Sequence, residues 1–207
     1  MTGKRIKAAP TKNTLLHLKR QLNFLQQGHS LLERKRELLT RLVYQRISEY
    51  REIRDQSHQA IKLAYHWLSL LQMRMGSRAI NQTVLSIQQV LDLKILPRRN
   101  LGVEFPSVTG EIKPLNPVGL LGTDPSFDDT RKCFAEASLL LAKMGEVSMS
   151  LNRLIAEQRK AQKRVNALRY NIIPQYKETI KFIENALEEE ERNALFQVKV
   201  LRDQKRI

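Results

Sequence analysis

A single cysteine, Cys133, occurs in 207 residues. Its isolation excludes an intrachain disulfide and a cysteine-rich zinc site, and gives no sign of an oxidising compartment. Aromatic residues make up only 6%, which suits long helices better than a compact, aromatic-filled core. Glycine and proline are scarce, at 8 and 7 residues. Four of the glycines and five of the prolines lie in the middle of the chain, between Pro97 and Pro125, so turn chemistry is concentrated there. No run approaches the ~20 apolar residues that a membrane-spanning helix needs. The basic start MTGKRIKAAP leads into no apolar signal core, so a soluble chain of cytoplasmic type is expected.

Catalytic patterns are missing too. There is no GxxxxGK(S/T) and no GxGxxG, so no loop to cradle a triphosphate. His17, His29, His58 and His66 are scattered, and Lys62 stands midway between His58 and His66 where a ligand would be needed. Cys133 has no base nearby in sequence and reads as a small helix residue. Glu33 and Glu37 read as a solvated face, and Met73-Arg74-Met75 as packing. The expectation is a non-enzyme with no cofactor and no metal.

What the chain has in quantity is positive charge and heptad leucine. Net charge is +15. Residues 1–76 carry 15 basic against 5 acidic side chains, residues 77–130 carry 5 against 6, and residues 131–207 carry 16 against 10. Basic flanks around a neutral middle point to nucleic acid, an anionic surface or an acidic protein partner.

From Leu15 onward, apolar residues recur at alternating steps of three and four. One row runs Leu15, Leu22, His29, Arg36, Val43, Tyr50, Ser57, Ala64, Leu71; the other runs Leu18, Leu25, Leu32, Leu39, Arg46, Ile53, Ala60, Trp67. Thirteen of these seventeen are apolar, against the about seven that the overall composition would supply, which marks a helix seam. The C-terminal part repeats it, from Leu140, Met144, Val147 and Leu151 through Val165, Leu168 and Ile172 to Phe182 and Phe196. A strict seven-residue period implies a left-handed supercoil. Some 65 residues at 1.5 Å each make a helix of roughly 100 Å.

Two such stripes joined by about 50 other residues pack most simply on each other as an antiparallel pair. Facing residue numbers should then sum to about 207, which sets Glu188-Glu189-Glu190-Glu191 near Lys19 and Arg20. Thr11 is the expected cap of the first helix. Asp124-Pro125 is expected to open the second, with Asp128 and Asp129 in its first turn.

Between the stripes, Leu91-Asp92-Leu93-Lys94-Ile95 and Val103-Glu104-Phe105 alternate with period two. Ser107-Val108-Thr109-Gly110 reads as a turn and Glu111-Ile112-Lys113 as a returning strand, bounded by Pro97, Pro106 and Pro114. The expected fold is therefore mainly α: a long antiparallel two-helix left-handed coiled coil with a small β-hairpin-containing knob. Its parts are a flexible N-terminus over 1–10, a helix over 11–76, the knob over 77–124, a second helix over 125–203 and a tail over 204–207.

Pro174 lies inside the second helix. With Ile172 on the seam it occupies an outer position, and the carbonyl that loses its donor, Tyr170, faces water. The helix is expected to continue with a kink and its seam in unbroken phase. Two readings stand side by side: a tolerated surface proline, or a bend with a function.

The basic clusters Lys4, Arg5, Lys7, Lys12 and Lys199, Arg202, Lys205, Arg206 would meet at one end of an antiparallel pair. They have almost no aromatic neighbours, unlike single-strand nucleic-acid binders, and suit an acidic partner surface. The alternatives are a basic coiled-coil arm that binds nucleic acid and a generic coiled-coil adaptor.

Three stretches carry a family resemblance: APTKNTLLHLKRQLNFLQQGHSLLERKREL, VGLLGTDPSFDD and KRVNALRYNIIPQYKETIKFIENALEEEERNALFQVK. The chain resembles the D subunit of the V-type and archaeal-type rotary ATPases over nearly its whole length. Arg164-Val165-Asn166-Ala167-Leu168 followed by Ile173-Pro174 is the specific signature. Arg169 stands where that family often has an acid, and residues 98–116 fit its pattern less well.

The resemblance implies a central-stalk rotor shaft that couples ATP hydrolysis or synthesis to ion translocation, itself binding no nucleotide. It implies a hetero-oligomer at the cytoplasmic face, peripheral to the membrane, with no nucleic acid. Lys12, Lys19, Arg20, Arg164, Asn166, Lys199 and Arg202 would then face the ring of catalytic A and B subunits. Ile95, Val103, Phe105 and Ile112 of the knob would face the small F subunit and the C/d-type socket subunit above the ion-carrying ring.

Overall fold

A computed structural model describes residues 6–116 and 123–204. The element order is α1 (Lys12–Met75), α2 (Ser77–Val84), β1 (Leu91–Asn100), β2 (Val103–Ile112), α3 (Ser126–Ala167), a π turn (Leu168–Ile172) and α4 (Ile173–Gln204). Helices α3 and α4 run on through the π turn without a break. The mainly helical fold with a central antiparallel hairpin is the one the sequence implied. Lys4, Arg5, the loop over 117–122, and Lys205 and Arg206 lie outside the described residues.

The chain divides into two units. One holds the chain up to Leu38 together with the part from Gln158 onward; the other is Leu39–Glu157.

In the first unit the start of α1 packs antiparallel on α4. Thr11 caps α1: its Oγ1 accepts the Thr14 N–H at 3.3 Å, and Thr14 Oγ1 accepts the Thr11 N–H at 3.1 Å. This reciprocal arrangement satisfies two donors that a helix start otherwise leaves open. Leu18, Ile180 and Ile183 form the core, with Leu15, Leu22, Tyr176 and Leu187 packed around them. Thr179 Oγ1 accepts the Ile6 N–H at 3.1 Å, which ties the chain before α1 onto α4.

Every α1 seam position from Leu15 to Leu71 is buried or half-buried, as the heptads require. The second seam holds through Ile172 and then slips. Ile183 is fully buried while its neighbour Phe182, the expected seam residue, is 44% exposed. Tyr176 and Leu187 also lie one position past the expected row.

The cause is the π turn. The Ile173 N–H bonds to the Leu168 carbonyl, five residues back. Such a turn inserts one extra residue into the helix. It lies directly before Pro174, whose ring would press on the preceding turn and which has no N–H to donate. Widening that turn accommodates the ring. The helix continues, but the expectation of unbroken phase is corrected: the apolar face beyond Pro174 moves on by one residue.

Facing pairs also fall short of the expected register. Lys12 meets Glu191 and Lys19 meets Glu184, each at 2.7 Å. The tetraglutamate run therefore faces Lys12 rather than Lys19.

In the second unit, α3 opens at Ser126, directly after the expected Asp124-Pro125 start. Asp124 sets this start. Its Oδ2 accepts the Ser126 N–H at 3.2 Å and the Ser126 hydroxyl, and pairs with Arg74 at 3.1 Å. The Ser126 hydroxyl and then the Arg74 guanidinium hold the Asp124 carboxyl below the usual carboxylate range. Leu71, Ile80 and Phe127 form a core with Met75 and Ile87, and Tyr65 meets Phe134 edge-on at 5.8 Å. Gly76, at φ 76°, occupies the left-handed region between α1 and α2, where glycine carries no steric cost.

The hairpin is longer than its alternating fragments suggested. β1 pairs antiparallel with β2 from Leu91↔Ile112 to Asn100↔Val103. The turn is Leu101-Gly102, both at positive φ (49° and 80°), the geometry of a two-residue primed turn that matches strand twist. Ser107–Gly110, expected to turn, is strand instead. Pro97 lies directly opposite Pro106.

Substitution at the two adjacent α4 positions separates the slipped seam from the expected one. Ile183→Ala should cost about 2–5 kcal/mol in chemical denaturation, and Phe182→Ala should cost less, since its side chain is not part of the buried core.

Candidate functional site

Among the described residues, no group of three or more His, Cys, Asp or Glu side chains is placed to hold a metal. No helix is long and apolar enough to cross a membrane. Burial raises the Cys133 thiol pKa, with Glu136 and Asp129 adding to the shift; a reactive cysteine needs the opposite shift. Glu33 lies near His29 and Arg36, at 3.8 and 3.9 Å. Two exposed surfaces carry apolar and charged side chains together.

The first such surface belongs to the unit built from the start of α1 and α4. Lys12, Lys19, Arg20, Arg164, Asn166, Lys199 and Arg202 are all exposed. They are not equally free. Lys12 and Glu191 are tied together: their mutual hydrogen bond raises the lysine pKa and lowers the carboxyl. Lys19 is held by Glu184, and Asn166 accepts from Gln162 at 2.8 Å.

A stripe the heptad reading passed over runs down the outside of α1. Phe24, Leu31 and Leu38 are 74, 64 and 47% exposed. They stand seven residues apart, on the side away from the seam, with Arg20 and Arg34 exposed beside them. Their spacing was visible in the sequence, and it escaped notice because the inward rows carried a stronger signal. The last turns of α4 repeat the combination. Leu195, Phe196, Val198 and Leu201 are exposed alongside Lys199 and Arg202. Contiguous exposed apolar side chains edged with charge mark protein-binding surfaces.

The second surface is the hairpin, in the other unit. Of its four expected contact residues, Val103 and Phe105 are buried, each 7% exposed, whereas Ile95 and Ile112 are open. Phe105 lies under the Arg46 guanidinium, 5.7 Å from the ring centre, an attractive geometry for a cation. α3 grips β2 at two points. Glu146 accepts the Val108 N–H at 2.8 Å, and Arg153 donates to the Glu104 carbonyl at 2.8 Å. Gly110 lets β2 come close, since a Cβ there would meet Leu139 of α3 and Leu93 of β1.

Pro174 is half-buried directly after the π turn.

Long helices packed along apolar seams, with a small hairpin held to α3, define a mainly helical protein of coiled-coil class. Comparison with known proteins makes this specific. The family of ATP synthase D subunits matches residues 14–203, and the chain belongs to that family. It is 34% identical over 197 residues to the A-type ATP synthase D subunit of Methanosphaera stadtmanae, covering 93% of this chain and 92% of that protein. It is also 34% identical to the V-type ATP synthase D subunit of Thermotoga neapolitana (94% and 97% covered). Against the A-type ATP synthase D subunit of Thermococcus sibiricus the identity is 32% (94% and 92% covered).

The grip on β2 can be tested directly. Glu146→Ala leaves the part-buried Val108 N–H without its acceptor, a loss of about 1–3 kcal/mol locally. Hydrogen exchange at the Val108 amide should speed up by at least tenfold, with the core amides of α1 unchanged.

Proposed function

We propose that this chain is the central rotor shaft of a V/A-type ATPase, a non-catalytic component that links ATP turnover in a ring of A and B subunits to ion translocation in a membrane ring. Family membership supports the assembly. The observation that carries the shaft role is the pairing of α1 and α4 along a buried seam while apolar and arginine side chains line the outside of the pair.

A shaft has to resist unwinding under torque. Local melting of a leucine seam exposes apolar surface at about 0.8 kcal/mol per methylene, so torque is passed on rather than absorbed. A shaft also has to differ around its axis if the surrounding catalytic sites are to differ from one another. Two helices of unrelated sequence do, and the shift in phase at Pro174 adds to the difference. Each angle of the shaft then favours one set of open and closed sites, a shift of populations set by differential contact.

In this reading the outer stripe of Phe24, Leu31 and Leu38 and the last turns of α4 slide against the A and B subunits. Arginine and lysine suit such a bearing because their stems cover apolar surface while their charges stay hydrated. The hairpin and its surroundings meet the small F subunit and the socket subunit, and the complex sits against the membrane through other chains.

Mixing the purified chain with an A/B ring should give a complex that co-elutes in size-exclusion chromatography; separate elution at micromolar concentrations would reject the shaft role. Pro174→Ala asks whether the phase shift matters. Ions moved per ATP hydrolysed should fall by about twofold or more while helical circular dichroism is unchanged; an unaltered ratio would leave the proline as a tolerated surface residue.

A further inference from the structure

The β1–β2 hairpin has one closed edge and one open edge. The closed edge is the outer side of β2, where Glu146 takes the Val108 N–H and Arg153 takes up the Glu104 carbonyl. Every residue of β1 from Asp92 to Asn100 is exposed.

Register decides which backbone groups line the open edge. Ile95 is directly opposite Val108. Opposed residues in an antiparallel ladder either exchange both hydrogen bonds or exchange none. The Val108 N–H points away from β1, so this pair exchanges none, and the Ile95 N–H and C=O point away from β2. With period two, the same holds for Leu93, Pro97 and Arg99. Pro97 therefore takes nothing from the ladder, while Leu93, Ile95 and Arg99 present full donor and acceptor pairs to the outside. No described residue hydrogen-bonds to them; only the Leu91 carbonyl on this edge is taken, by Gln89 Nε2 at 3.1 Å.

We infer that the outer edge of β1 is a strand-addition site, which takes up an extended acidic segment of a partner polypeptide as a third strand. Free main-chain groups supply such a segment with affinity, and the side chains beside them select its sequence. Leu93, Ile95 and Leu96 offer exposed apolar contact. Lys94 and Arg98 are exposed on the opposite face from Leu93 and Ile95 and form no ion pair among the described residues.

The strand LDLKILPRRN carries three cations and one acid, so a second copy of β1 is repelled and an acidic strand is drawn in. The near end of the edge also has a floor. A cavity of about 570 Å³ opens beside Leu91 and Leu93, against Arg131, Phe134 and Ser138 of α3. Arg131, whose side chain is 9% exposed, is part of that lining. The site rests on the proposed assembly only in drawing the partner from its other subunits.

Hydrogen exchange on the full chain, alone and in the assembled complex, reads the open edge directly. The Leu93 and Ile95 amides should exchange at least tenfold more slowly in the complex; equal rates in an intact complex would overturn the site and leave the shaft role standing. A second arm uses the isolated chain with a synthetic ten-residue Glu-Val repeat, and a Lys-Val repeat of the same length. Protection of Leu93 and Ile95 by the first and not by the second supports the site even if no ring binds, and equal effects of both peptides overturn it. Ile95→Pro removes one outward donor and no ladder bond, and should weaken Glu-Val binding at least tenfold. Lys94→Glu combined with Arg98→Glu leaves the backbone groups in place and should reverse the choice of peptide. Unchanged binding by both variants would also refute the site.

Discussion

An apolar seam holds two helices together only while its side chains keep facing inward, and that constraint organises much of this molecule. An α-helix turns 3.6 residues at a time, so a seven-residue repeat stays inward only if the helices wind slightly around each other. Along α1 the constraint is met without exception, from Leu15 to Leu71. Even the poor seam residues, His29, Arg36 and Ser57, keep the inward phase. Polar side chains are tolerated there when they find partners, as Ser57 does by bonding back to the Ile53 carbonyl and Arg36 does with Gln162.

The second seam meets the same constraint differently. Proline cannot donate a backbone hydrogen bond, and its ring crowds the turn before it. A sharp kink is one answer. Here the helix widens into a single π turn and resumes, with Ile183 in place of Phe182 as the buried residue. The change moves an aromatic side chain outward onto a surface that meets solvent or a partner. π turns of this kind are common at functional sites.

The hairpin follows a second constraint, the need of backbone groups for partners. A two-stranded ribbon is marginal by itself. This one is held by its β2 edge to α3 and by Phe105 under Arg46. The same anchoring leaves β1 exposed from Asp92 to Asn100. Natural edge strands are usually blunted with lysine and proline. Lys94 and Pro97 do part of that work here, yet Leu93 and Ile95 keep their outward groups free.

Helix identity, the caps at Thr11 and near Asp124, and the alternation that makes a hairpin were all legible in the chain, because each depends on neighbours within about seven residues. The sequence alone also carried the resemblance to the ATP synthase D subunits, which the family match over residues 14–203 bears out. What it left open depends on distant parts meeting. The true turn at Leu101-Gly102 was hidden because leucine is a poor residue for a positive φ, and register with β2 overrode that preference. The one-residue slip past Pro174 was hidden because periodicity counts residues and not hydrogen bonds. The burial of Val103 and Phe105, and the openness of Ile95, were decided only when α3 took hold of one edge of the hairpin and left the other free, since a strand's own alternation says nothing about which of its edges finds a partner.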